Sequence, residues 1–391
     1  MIDFTFVSPT KIYFGKNQEN NLANILLEND FKRILFVYGG GSIKKIGLYD
    51  KIINEFKSAK AEYFELPNIR PNPNNIDVNR GIKIARNNNV DFILAVGGGS
   101  VIDTAKAIAV GFYYQGDAFD FNLHKAVPEK ALPIGVVLTL SASGSELSST
   151  SVIQNDVLGV KSGFRSDLMR PIFAIMNPEL TFSVNAYQTA CGVVDIISHS
   201  LERYFCPSDE YEFSDDIALS IIKNTIKSGK ECLIHPNNYN ARALMMLCGS
   251  YSHNGLTNLG KKYVMTIHAI EHSLSAFKPT IAHGAGLAVL IPAWMNYVYE
   301  LDVEKFAKFN EEIFNIHFVN KHESARIGIQ YLKDFFKDIG MPTSLKEIGI
   351  EEKDIPILAN MITENGTRMI GYSSIKPLSK SDIVTILSSL I

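Results

Sequence analysis

"DFILAVGGGSVIDTAK" (residues 91–106) decides the fold. Its first six residues include a continuous apolar, β-prone run, the next four form a glycine–serine turn, and the rest reads as the first turns of a helix. An apolar run of that length suits a strand buried on both faces, the habit of parallel sheets covered by helices. Working outward, "RILFVY" (33–38), the 62–66 part of "AEYFEL" and "PIGVVL" (133–138) are further strand-like runs, bounded by Gly, Asn or Pro, and a helical pattern fills 76–88. This βαβ rhythm predicts an α/β, doubly wound, Rossmann-like N-terminal domain over residues 1–185. After "MNPELTFSVNAYQ" the period changes. Segments 186–205, 213–234, 240–256, 265–277, 303–315 and 322–338 keep helical spacing, which predicts an all-α C-terminal domain over 186–391.

Size and composition agree with two domains. A chain of 391 residues exceeds the length at which a single hydrophobic core stops growing. The 38 Lys and Arg against 41 acids leave a formal charge of −3, with no basic excess to point to nucleic acid. Cys191, Cys206, Cys232 and Cys248 form no CxxC pair and read as buried or free thiols in a reducing compartment. No apolar run reaches the roughly 18 residues of a membrane span, and "MIDFTFVSPTKIYFG" lacks the pattern of a secretory signal. A cytoplasmic protein without membrane or nucleic-acid partners is expected.

Two glycine loops follow strands: "VYGGGS" (37–42) and "AVGGGS" (95–100). Glycines there permit positive φ and let backbone amides close on an anion, while the next helix presents its positive end. Ser100 and Asp103 stand at the start of the second helix, and "TLSASGSE" (139–146) follows a third strand with hydroxyls and Gly144. Together they suggest a dinucleotide, although none is the GxGxxG of ordinary Rossmann domains. Where an acidic residue would grip the adenine ribose, the chain offers Gly39, Gly40, Gly41, Ser42, Lys44 and Lys45. The lack of a carboxylate and the nearby cations tilt the expected cofactor toward NADP(H) over NAD(H).

Histidines gather in the second half. Asp195 and His199 in "DIISHSLE" are four residues apart on one expected helix, and His268 and His272 in "HAIEHSLSA" repeat the spacing on another. At that spacing two side chains share a helix face and can reach one ion. His283 opens "HGAG". Five candidates thus compete for about four positions on a divalent cation. One carboxylate with neutral imidazoles would leave a good Lewis acid, and Fe²⁺ and Zn²⁺ both accept the set.

With these motifs in hand, the chain resembles the iron-containing (group III) alcohol dehydrogenases, and within them the butanol dehydrogenase branch. "YGGGSIKKIGLYDKI", "PNPN", "GGGSVIDTAKAIA", "TLSASGSE", "DIISHSLERYF", "HAIEHSLSA" and "HGAGLAVLIPAWM" occur in the branch's order along nearly the whole length. The resemblance implies a dehydroquinate-synthase-like fold with cofactor and metal meeting in an inter-domain cleft. It implies Asp195, His199, His268 and His283 as metal ligands and His272 as a further histidine beside nicotinamide and substrate. On the cofactor side it implies Gly40, Gly41 and Ser42 at the adenosine end. Asn72, Gly97, Gly98, Ser100 and Asp103 would lie at the phosphates and ribose, and Thr139, Ser143, Lys161 and Leu180 near the nicotinamide. Ser143 stands where the branch usually has Thr, and Asn177 where it usually has Asp.

The implied activity is hydride transfer between NAD(P)(H) and a short-chain primary alcohol or aldehyde, by a homodimer or larger homo-oligomer. The apolar surroundings of His268 and of "HGAGLAVLIPAW" suit an aliphatic chain better than a hydroxyl-rich one. A polyol dehydrogenase of the same fold is the alternative enzyme reading. A non-catalytic nucleotide-binding sensor or scaffold is the alternative of another class.

Overall fold

A computed structural model describes residues 2–207 and 212–391. Among them eight strands form: β1 (Lys11–Phe14), β2 (Arg33–Tyr38), β3 (Glu62–Leu66), β4 (Phe92–Gly97), β5 (Ile134–Leu138), β6 (Thr150–Asn155), β7 (Val160–Arg165) and β8 (Phe173–Met176). Six of them make one parallel sheet in the order β1-β8-β5-β4-β2-β3, and β6 and β7 form a separate antiparallel pair.

The apolar runs are continuous because both faces of the sheet are covered. Leu35, Val37, Ile93, Ala95 and Val136 point into one cluster with Val78, Ile82 and Ala85 of the Asn75–Asn87 helix and Ile102, Ala105 and Ala109 of the Gly99–Gly111 helix. Their neighbours Ile34, Phe36, Leu94, Val96 and Val137 point into another, with residues of the Leu22–Glu28 and Leu48–Ser58 helices. Strand residues alternate between two dry layers, as the doubly wound reading requires. β1 and β8 escape the sequence reading because each has only four residues and β8, "FAIM", is short of β-branched side chains.

The chain divides into two compact units. One is Val7–Asn185 together with His235–Ser250; the other contains Ala186–Ile234 and Tyr251–Ile391. Residues 235–250, which a single cut at 186 assigns to the helical part, therefore belong with the sheet. The contact is physical: Met246 joins the sheet's core, and Ser250 Oγ donates to the buried Glu146 carboxylate at 2.5 Å.

In the helical unit the Ala186–Tyr204 helix packs against the Glu212–Ile234 and His283–Val298 helices. Gly284 sets the last of these approaches, for a Cβ there would lie 2.4 Å from the Cys191 carbonyl oxygen and 2.6 Å from its Cα. Among the described residues, this unit's β pairing is a single bridge between Ile370 and Leu378. None of the four cysteines is in a disulfide.

The sheet unit holds one polar contact that the sequence does not announce. Lys106, on the Gly99–Gly111 helix, is fully buried and donates to Ser145 O (2.6 Å), Ser148 O (2.8 Å), Thr150 O (3.0 Å) and the Ser145 and Ser148 hydroxyls. Burial lowers its pKa to about 8, against the opposing pull of Asp103 and Glu146. Replacing this cation by an apolar side chain leaves buried carbonyls unpaired. We expect Lys106→Met to cost about 3 kcal/mol or more and to lower the thermal unfolding midpoint by roughly 5–10 °C. Gly284→Ala has no side chain to push aside, only backbone. Calorimetry should show it destabilised by at least the roughly 1–3 kcal/mol usual for overpacking.

Candidate active site

The helix period brings the first two candidates together. Asp195 and His199 lie one turn apart on the Ala186–Tyr204 helix, and His268 enters from the Thr266–Phe277 helix. His283 is the first residue of its own helix, placed by the close approach at Gly284. Their ring nitrogens converge on one oxygen. Asp195 Oδ1 lies 3.7 Å from His199 Nδ1, 3.5 Å from His268 Nε2 and 3.6 Å from His283 Nε2.

These separations are too long for good hydrogen bonds. Asp195 Oδ1, His199 Nδ1 and His268 Nε2 are buried without a hydrogen-bond partner. A buried polar atom left so costs roughly 1–3 kcal/mol, more when charged. A cation bonded to N and O ligands at 2.0–2.2 Å would put ligands in tetrahedral array about 3.4 Å apart, close to the spacing found. The donor set therefore fits a borderline divalent metal such as iron or zinc.

His272 stands differently. Its ring centroid is 6.4 Å from that of His268 and 5.8 Å from that of His283. It shares a second, overlapping group of possible ligands with Glu271 and His283. Of the five candidates, the structure places three histidines around Asp195 Oδ1 and sets His272 beside them. Asp195, His199 and His268 are only 4–6% exposed, whereas the His283 side chain is 26% exposed, so the cluster opens to solvent on the His283 side.

Two carboxylates at this site were not legible from spacing. Glu202 accepts from His268 Nδ1 and Glu271 from His283 Nδ1. A third neighbour, His253, packs its ring 4.1 Å from that of His199 and contacts the Arg203 guanidinium at 3.1 Å. Burial, with the rings of His253 and His268, pushes His199 well below the usual imidazole range. Burial also opposes charge on His268, but Glu202 and Asp195 outweigh it and raise that ring to about 9 in the metal-free protein.

The expected cofactor residues lie in the other unit, mostly at one edge of its sheet. Gly40, Gly41 and Ser42 follow β2; Asn72 follows β3; Gly97, Gly98, Ser100 and Asp103 span the end of β4 and the next helix. Thr139 and Ser143 follow β5, and Leu180 lies in the Pro178–Thr181 turn after β8. All are on the C-terminal side of parallel strands. The order β5-β4-β2-β3 makes the chain leave β2 and β4 in opposite directions, a topological switch point of the kind where nucleotides bind in open α/β sheets. Both GGGS loops flank it.

Lys161 comes from β7, yet its ammonium donates to Asn72 Oδ1 at 3.0 Å, which joins the hairpin to this edge. Asn72 adopts the left-handed region, φ 53°. Asp103 is committed to the scaffold: it accepts from Ser145 Oγ at 2.5 Å and from Val152 N at 3.0 Å. Gly99 leaves room for a neighbouring side chain, since a Cβ there would lie 2.3 Å from Ser143 Oγ. At the end of β2 the structure brings in a carboxylate that local sequence did not show. Glu65 of β3 accepts from the hydroxyls of Tyr38 (2.5 Å) and Tyr49 (2.9 Å), and Lys44 lies over both rings.

Comparison with known proteins accounts for both halves. The family model described as iron-containing alcohol dehydrogenase matches residues 9–178, and that of the C-terminal part of the Fe-containing alcohol dehydrogenase family matches 189–391. NADH-dependent butanol dehydrogenase A of Clostridium acetobutylicum is 39% identical over 389 residues, 99% of each chain. The NADPH-dependent aldehyde reductase YqhD of Escherichia coli is 32% identical over 374 residues, 95% of each. The crystal structure of NADH-dependent butanol dehydrogenase A from Thermotoga maritima superposes with a TM-score of 0.95 at 37% identity, covering 100% of this chain and 99% of that one. Sheet topology, the carboxylate–imidazole cluster and these matches over nearly the whole length lead to one conclusion: the chain belongs to the iron-containing alcohol dehydrogenase family.

Proposed function

We propose that this oxidoreductase interconverts short-chain primary alcohols and aldehydes, of which butanol and butanal are representative. Asp195, His199, His268 and His283 would hold the divalent metal. The observation that carries this reading is the convergence of three imidazole nitrogens on the buried Asp195 Oδ1. A bound iron or zinc ion supplies Lewis-acid polarisation of the substrate oxygen, and the nicotinamide supplies or accepts hydride.

The chain's own residues do the rest. The solvent-facing edge at His283 gives the substrate oxygen an approach. The apolar Ile267, Ile270, Leu274 and Leu287 are buried within the two histidine-bearing helices, and the family of "butanol dehydrogenase" relatives supports an aliphatic substrate. His272, half-buried and one turn beyond His268, would hold or relay the substrate hydroxyl proton. In the other unit, the Lys161–Asn72 pair is suited to ribose hydroxyls, and the amides at the start of the Gly99–Gly111 helix to the pyrophosphate.

For the cofactor we propose NAD(H). The tilt toward NADP(H) read from residues 39–45 has no support in the relatives of 37–39% identity, whose names carry NADH; the NADPH-named reductase is 32% identical. Glu65, bonded to the Tyr38 and Tyr49 hydroxyls whose rings Lys44 covers, also offsets part of the positive charge on which that tilt rested. Assembly as a homodimer or larger homo-oligomer in the cytoplasm belongs to the same reading. The exposed Ile2, Phe4 and Phe6 support the assembly; among the described residues no helix is long and apolar enough to cross a membrane.

Steady-state reduction of butanal, glyceraldehyde and glycolaldehyde by metal-reconstituted enzyme tests this. We expect kcat/KM for butanal to exceed those of the hydroxylated aldehydes at least about tenfold, with NADH preferred to NADPH. Equal rates on hydroxylated aldehydes would favour a polyol substrate instead. His272→Ala should lower kcat about 10²-fold and change its pH profile. An unchanged profile removes His272 from proton transfer.

A further inference from the structure

The cluster around Asp195 has an outer layer that nothing in its ligand count requires. His268 and His283 each donate Nδ1–H to a separate buried glutamate, Glu202 (4% exposed) and Glu271 (0% exposed). Because a carboxylate only accepts, each contact keeps a proton on Nδ1, so that in the neutral ring, the form that binds a metal, the lone pair is on Nε2. Nε2 is the atom that faces Asp195 Oδ1 in both rings.

The two glutamates are held in different ways. Glu202 also accepts from the backbone N–H of Ile267 at 2.6 Å and of His268 at 3.3 Å, so it pins the start of the Thr266–Phe277 helix from the Ala186–Tyr204 helix. Glu271 accepts from Ser275 Oγ, one turn further along its own helix. Its side chain fits because residue 286 has no Cβ: one there would lie 2.8 Å from Glu271 Cγ. The second glycine of "HGAG" thus makes space for a carboxylate, as the first makes space for the Cys191 backbone.

Burying a carboxylate is expensive unless its charge is compensated. Here three carboxylates, Asp195, Glu202 and Glu271, surround one cluster, and the buried guanidinium in it belongs to Arg203, which donates to His199 O and Ser252 O. With the three imidazoles neutral, as metal ligands must be, the formal charges leave two negative charges for a divalent cation to neutralise. His199 differs from His268 and His283 in packing its ring against that of His253, 4.1 Å between centroids.

We propose that Glu202 and Glu271 are positioning residues that set the metal affinity of this site: they lock two ligand rings in the coordinating tautomer and supply the charge that balances a dication. The inference rests on the metal-site reading above, and the test separates the two. Zn²⁺ is the probe, titrated into metal-free protein against a chromophoric chelator, with unfolding midpoints of the metal-free forms measured alongside. Glu271 is the residue to vary, because it holds His283 Nδ1 and Ser275 Oγ, whereas Glu202 also anchors the start of a helix through two backbone N–H groups.

Glu271→Ala is expected to weaken Zn²⁺ binding about 10–100-fold, the usual cost of losing an outer-layer partner, with a folded metal-free protein. Glu271→Gln, whose amide oxygen still accepts Nδ1–H, is expected to fall between it and the wild type. If Glu271→Ala does not fold, a Glu271→Gln affinity weaker than wild type by at least threefold carries the inference and an unchanged one overturns it. A folded Glu271→Ala protein that binds Zn²⁺ within threefold of wild type overturns it as well. Asp195→Asn is the control: if it loses Zn²⁺ while the Glu271 variants keep it, only the role of the glutamates fails. If Asp195→Asn binds as tightly as wild type, the metal-site reading fails and this inference with it.

Discussion

One buried oxygen organises the helical unit. Asp195 Oδ1 sits within 3.5–3.7 Å of three imidazole nitrogens, near enough to share a partner and too far to bond one another. A protein interior rarely tolerates such a group of unsatisfied atoms. The surrounding sequence is understandable as what it takes to hold it. An i,i+4 pair supplies two of the converging side chains from one helix, Gly284 brings a second helix against the backbone of the first, and Glu202 fastens the third to it across 65 residues of sequence. Residues far apart in the chain are thereby tied to one point.

Much of this was legible in the sequence, for definite reasons. Asp195–His199 and His268–His272 are visible because helical periodicity turns a spacing of four into a shared face. The same rule could not say which of His272 and His283 stands at Asp195 Oδ1, since His283 depends on where another helix begins. Glu202 and Glu271 were invisible: a glutamate on a helix reads as a solvated face until tertiary contacts bury it. Lys106 was hidden in the same way, inside a motif whose glycines drew the attention. Its five oxygen partners all come from residues 145–150, some forty residues later, where a loop runs into β6.

The sheet unit was easier at its centre than at its rim. β2, β4 and β5 were plain because strands buried on both faces are apolar at every position. β1 and β8 are four-residue strands, and the β6–β7 hairpin carries polar residues throughout, so neither pattern rises above its surroundings. The glycine loops were read as phosphate cradles from composition. The topology adds the reason for their place, since they flank the point where the connections from β2 and β4 diverge. The charge at the end of β2 shows the limit of local reading. Glu65 is over twenty residues from the glycines, and only the parallel pairing of β2 with β3 brings its carboxylate to Tyr38.

The measurement that bears most directly on this account is anomalous X-ray scattering from crystals of anaerobically prepared protein, recorded on both sides of the iron and zinc absorption edges. The account predicts one strong peak per chain, about 2.0–2.2 Å from an Asp195 carboxylate oxygen and from one ring nitrogen each of His199, His268 and His283. A peak bound instead by Glu271, His272 and His283, or no peak near Asp195 in protein that contains stoichiometric metal, would contradict it.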